Sequence, residues 1–99
     1  MQYMKAKLLV RNKEVRDDGS IIEIVIWSLQ QPVPPCTHLF KYQLFYGRKG
    51  NRIVCYDNER GKGDHRHFKG MEAAYKFLSI EQLLVDFEKD LLLIERGES

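Results

Sequence analysis

The chain has little of what builds the more specialised protein classes. Two cysteines, Cys36 and Cys55, among 99 residues are too few for a disulfide scaffold. No window approaches the 18 apolar residues of a membrane span, and the Met1–Lys5 start lacks the apolar run of a secretory signal. The three prolines are confined to residues 32–35, and no repeat, low-complexity tract or linker divides the chain. A net charge of only +2 excludes a strongly basic protein that coats nucleic acid. What is there, 43% hydrophobic and 30% charged residues, is enough for one core in a single domain spanning residues 1–99. The expected setting is the cytoplasm, with reduced thiols and no membrane partner.

The first half, residues 1–57, reads as a β-meander. Met4, Ala6, Leu8 and Val10 alternate with Lys5, Lys7, Leu9 and Arg11, the period of a half-buried strand. Asp17-Asp18-Gly19 supplies turn chemistry, and Ile21–Leu29, with five β-branched residues, reads as a central strand. Pro32, Pro34 and Pro35 end it. Phe40, Tyr42, Leu44 and Tyr46 then fall on one side and Lys41 and Gln43 on the other. Gly47–Asn51 reads as a hairpin loop and Arg52–Tyr56 as the returning strand.

Residues 79–96 predict an amphipathic helix. Ser79-Ile80-Glu81-Gln82 fits a capping box, with Leu78 and Leu83 at the staple positions and Gly97 placed as the stop. Ile80, Leu83, Leu84, Phe87, Leu91 and Ile94 form one apolar stripe, with Glu81, Asp86, Glu88 and Asp90 off it. Leu91-Leu92-Leu93 is wider than one face needs. The stripe must bury itself, and the aromatic side of the sheet is its partner. The expectation is an α+β domain: an antiparallel meander of four to five strands with this helix packed on one face.

Residues 57–70 hold the chemistry. Three glycines, four cations, three carboxylates and two imidazoles share fourteen positions, with Phe68 the one sizeable apolar residue, which reads as a basic loop or hairpin outside the core. Gly61 and Gly63 around Lys62 would let backbone amides approach a phosphate. Residues 41–70 carry a net +5 and residues 71–99 a net −4, so the near-neutral total conceals a basic centre. Tyr42, Tyr46, Tyr56 and Phe68 lie in or beside it as stacking platforms for single-stranded nucleic acid; the alternative is a solvated hairpin over ordinary core aromatics.

His65 and His67, two apart, would share one face of an extended segment. Two such imidazoles can serve as base and acid at an RNA phosphodiester, whose 2′-hydroxyl is the nucleophile, so no metal or other cofactor is called for. Arg66 completes the catalytic candidates with Asp64, and Asp64 or Asp57 would hold an imidazole tautomer. Arg60, Lys62, Lys69, Tyr56, Arg52 and Lys41 are the candidate substrate-binding residues. A zinc reading, Cys36 and His38 with His65 and His67, lacks finger spacing and sits beside Arg66 and Lys62. Two histidines in a polar loop are also compatible with no chemistry at all.

The run Tyr56-Asp57-Asn58-Glu59-Arg60-Gly61-Lys62-Gly63-Asp64-His65-Arg66-His67 resembles the TumE family, known as toxin components of type II toxin–antitoxin modules. So do the Asp18-Gly19-Ser20 turn and the strand to Trp27, the Pro32-Val33-Pro34-Pro35 bend and the Ser79–Phe87 helix start. The resemblance implies a bacterial or archaeal origin and a cognate antitoxin, typically a helix-turn-helix protein. It also implies a toxin that acts on RNA or translation. The expected function is therefore a metal-independent ribonuclease, with a non-catalytic RNA-, ribosome- or antitoxin-binding module as the alternative.

Overall fold

The computed structural model describes residues 6–97, so the Met4 start of the first predicted strand lies outside the described residues. Alternation resolves into six strands: β1 (Lys7–Val15), β2 (Ser20–Ser28), β3 (Phe40–Arg48), β4 (Asn51–Glu59), β5 (Gly63–Phe68) and β6 (Met71–Ala74). One helix follows, α1 (Ile80–Glu95). The strands form one antiparallel sheet in chain order, β1-β2-β3-β4-β5-β6. This is the expected α+β meander, with one strand more than the upper expectation because residues 57–70 join the sheet.

Two hairpins close through the same two-residue turn. Lys49 (φ 54°) and Gly50 (φ 80°) join β3 to β4, and Lys69 (φ 50°) and Gly70 (φ 88°) join β5 to β6. Positive φ at both central residues marks the primed turns that match strand twist. The β3–β4 and β5–β6 turns share one end of the sheet; the β4–β5 turn and residues 29–39 share the other.

The core lies between α1 and one face of the sheet. Ile22, Ile26, Tyr42, Leu44, Tyr46, Val54 and Tyr56 meet Leu83, Phe87 and Leu91 there. The tyrosines expected to stack nucleic acid are among these fully buried side chains, at 1–2% exposure. Tyr56 therefore cannot present a ring to a base; it is core. β1 departs from its half-buried expectation: it is an edge strand, exposed along nearly its whole length, with Val10 alone packing on the core cluster.

The helix start is half a capping box. Ser79 Oγ accepts from the Gln82 amide at 3.0 Å, but the Gln82 side chain donates to Asp86 at 2.8 Å instead of reaching back. No staple forms, since Leu78 is exposed while Leu83 is buried. Gly97 (φ 75°) ends the helix as expected. Leu91 is buried and Leu92 exposed, so the leucine run is split between core and surface.

Candidate functional site

Partners across antiparallel strands share a face, so the register sorts the candidate residues. Tyr56 pairs with Arg66 and Asn58 with Asp64, on the helix-covered face. Asp57 pairs with His65 and Cys55 with His67, on the face that carries no helix. The segment read as a basic loop or hairpin is thus a hairpin, a two-sided strand pair whose polar side chains are divided between scaffold and open surface.

On the open face, His65 and His67 stand side by side, their Cα atoms about 6.5 Å apart. His65 Nδ1 faces the Gly63 carbonyl at 3.2 Å, and that contact requires the proton on Nδ1. His65 Nε2 lies 2.6 Å from Asp57 Oδ1. The distance suits a hydrogen bond but the alignment does not. Asp57 Oδ1 is the buried side-chain oxygen that, among the described residues, accepts no hydrogen bond. The contact is therefore electrostatic, and attractive only when the imidazole carries both protons. Asp57 rather than Asp64 is the carboxylate beside a paired histidine.

His67 meets its neighbours through Nδ1, 3.5 Å from Arg52 Nη2 and 3.6 Å from Glu72. Arg52 itself pairs with Glu72 at 3.2 Å. Lys41 lies on the same face and donates to the Asn58 carbonyl. Both imidazoles are largely covered, at 13% and 12% side-chain exposure, so a substrate would meet their edges only. Beside His67 on this face, burial pushes the Cys55 thiol up to about 12.

Arg66 is not brought together with the histidines. It lies on the opposite face, where Nε and Nη2 each reach Asp90 of α1 at 2.8 Å. The Tyr56 hydroxyl donates to the same carboxylate at 2.7 Å, and the guanidinium lies 4.7 Å from the Phe68 ring. The hydrogen bond to Asp90 raises the Arg66 pKa, keeping it charged, while burial raises the Tyr56 pKa. Asp90, expected off the apolar stripe, is on it and buried because this triad satisfies it. Arg66 fastens the helix to the sheet.

Asp64 also serves the scaffold. Its carboxylate accepts from Tyr42 at 2.6 Å, meets His38 Nε2 at 2.8 Å and takes the Cys36 thiol at 3.4 Å. His38 Nδ1 accepts the Phe40 amide at 3.2 Å, so its proton sits on Nε2, and its ring stacks on Phe77. Asn58, fully buried, uses its amide on the Tyr42 amide and the Phe40 carbonyl and so binds the same corner. Cys36, His38 and Asp64 place ligand atoms within 4.8 Å of one another. A protonated Nε2 has no lone pair to give a cation, and the cluster reads as a hydrogen-bonded anchor for residues 29–39. The four-ligand zinc set cannot assemble, because Cys36 and His38 gather at Asp64 of the helix-covered face while His65 and His67 stand on the other.

The remaining candidates occupy turns. Arg60 and Lys62 lie in the β4–β5 connection, with Lys62 3.8 Å from Glu59, and Lys69 lies in the β5–β6 turn. Gly61 and Gly63 cradle no phosphate: the Gly61 amide donates to the Pro34 carbonyl at 2.9 Å, and a Cβ on Gly63 would come within 3.3 Å of Pro35. The basic centre is thus parted between the two ends of the sheet. On the open face itself Arg11, Lys13, Lys41 and Arg52 are matched by Glu23, Asp57, Glu59 and Glu72.

The family model described as toxin TumE matches residues 5–96. The chain belongs to the TumE toxin family. No curated protein and no solved structure gives a match. Within this TumE-family chain the twelve-residue run from Tyr56 to His67 is the β4–β5 hairpin, in which alternate residues fasten the helix and line the open face. No helix among the described residues is long and apolar enough to cross a membrane.

Proposed function

We propose that this toxin acts on RNA through the uncovered face of its sheet, as a metal-independent ribonuclease. The observation that carries the reading is the same-face pairing of His65 and His67, with the Asp57 carboxylate against one and the Arg52 guanidinium against the other. In such a reaction one imidazole takes the 2′-hydroxyl proton as that oxygen attacks phosphorus. The other protonates the 5′-oxygen as its bond to phosphorus breaks, which yields a 2′,3′-cyclic phosphate and a 5′-hydroxyl. Arg52 is the cation next to the pair and would stabilise the non-bridging oxygens. Asp57 would favour the imidazolium formed on His65.

The experiment is incubation of the purified chain with RNA in EDTA. Cyclic-phosphate ends are expected, and His65→Ala or His67→Ala should each slow their formation roughly 10²- to 10⁴-fold. Cleavage unchanged in both variants removes the assignment. One observation favours the alternative, a non-catalytic RNA- or ribosome-binding module: both ring nitrogens of His65 are engaged within the protein. A salt-sensitive complex with intact RNA would be its signature. A cognate antitoxin, expected to be a helix-turn-helix protein, would neutralise by covering this face, and the reading frame beside this one is the place to look for it.

A further inference from the structure

We infer that a groove beside Asp57 on the open face seats one base of single-stranded RNA, stacked on Trp27, with Lys41 and Arg11 at the adjoining phosphate. The inference rests on the reading of this face as the RNA-acting one. The groove measures about 300 Å³ and is lined by Trp27, Arg11, Lys41, Gln43, Asp57 and Glu59, among others. Trp27 is the only tryptophan of the chain, half-buried on a sheet face that no helix covers. Lys41 is its direct partner across β2 and β3.

A volume of this size stands at the lower limit of ligand clefts and admits one planar group, not a duplex. A cation beside an aromatic ring on an open sheet is how unstacked bases are held, because every base has a face to stack and a phosphate nearby. Asp57 belongs both to the groove and to the His65 contact, and His65 lies two strands from Gln43, about 10 Å across the sheet. The groove and the His65 contact therefore share Asp57 as a common wall.

Charge and hydrogen-bonding groups set the preference. Two carboxylates and the exposed Gln43 amide line the groove, and carboxylates accept from amino groups, so cytosine, adenine and guanine fit better than uracil. Arg11 and Lys41 are opposed by Asp57 and Glu59, so stacking outweighs phosphate attraction. The slope of log affinity against log salt should be shallow, roughly −0.7 for one phosphate contact on a single strand.

The test titrates the full chain with a six-residue oligocytidine, 2′-O-methylated so that it cannot be cut, while following Trp27 fluorescence. Saturable quenching is expected, weaker with oligouridine. By anisotropy of a labelled oligomer, Trp27→Ala should bind roughly 10-fold less tightly or worse, with Trp27→Phe retaining most affinity. Gln43→Ala, at an exposed position, provides a milder variant and should narrow the preference for cytidine over uridine. RNA that binds wild type without changing Trp27 fluorescence, and binds Trp27→Ala equally well, overturns the groove while leaving RNA action standing. A wild-type chain that neither binds nor cleaves RNA overturns both.

Discussion

The two faces of this sheet are built from the same strands, yet they solve opposite problems. On the helix-covered face the charged groups between sheet and helix have close partners: Arg66 with Asp90 and Tyr56, Asp64 with His38, Tyr42 and Cys36. On the open face a carboxylate oxygen is buried without a hydrogen bond beside an imidazole, and an imidazole sits between a guanidinium and a carboxylate. Satisfied polar groups rigidify a fold, whereas a polar atom without a hydrogen bond is where a functional role is to be sought. The difference teaches where to look for stability and where to look for activity, although the residues alternate along one twelve-residue run.

The largest effect concerns the thiols. With Cys55 held up to about 12 by burial, roughly a thousandfold less thiolate is present at neutral pH than for an ordinary cysteine. Burial also raises Cys36. Ellman's reagent should find neither thiol rapidly in the native chain and both after unfolding. Because the folded pKa is the higher one, this protonated state adds stability below about pH 9, and the contribution is lost as pH climbs toward 12. Rapid modification of Cys55 at neutral pH would mean that the open face is loosely packed.

Next is the helix anchor. Arg66→Ala leaves the buried Asp90 carboxylate with the Tyr56 hydroxyl but no countercharge and should cost about 3 kcal/mol, read as a lower urea midpoint with unchanged slope. Action on RNA by the folded fraction should survive. Were activity lost at full stability, the division between the faces would be reversed. Asp57→Asn makes the converse prediction: stability within about 1 kcal/mol of wild type, because Oδ1 accepts no hydrogen bond that would be lost, but weakened action on RNA. A loss well beyond that would make Asp57 part of the scaffold.

Two smaller effects calibrate the frame that carries both faces. Ser79→Ala removes the α1 cap and should cost about 1 kcal/mol by thermal or urea unfolding. Lys49→Asn should stabilise by roughly 0.5 kcal/mol, since asparagine tolerates positive φ better than lysine in this turn. A destabilised asparagine variant would show that the Lys49 side chain contributes something beyond the turn.

Much of the fold is legible from local signals. Alternation over Phe40–Tyr46, the Asp18-Gly19 turn, Ser79 as cap and Gly97 as stop each follow from the chemistry of a few adjacent residues. The β5–β6 pair is not legible in that way, because Gly63–Phe68 pairs one face with helix charges and leaves the other polar, so no apolar period survives. Asp90 looks like a solvent residue until Arg66, far away in sequence, is seen to reach it. At the site, the same-face placement of His65 and His67 was readable from their spacing. Their partners were not, since Asp57, Arg52 and Glu72 are set by register. Trp27 carried one faint signal, a lone large aromatic on a strand with two apolar faces.

The strict chain order of the strands has a consequence in time. Each strand pairs with the one just before it, so most long-lived contacts close short loops, and such topologies fold quickly. During synthesis every hairpin can form as its second strand emerges. The helix cannot: Asp90 meets Arg66 and Tyr56 only when the last part of the chain is free. Until then the apolar face of the sheet has no cover, and a truncated product lacks the element that closes the core.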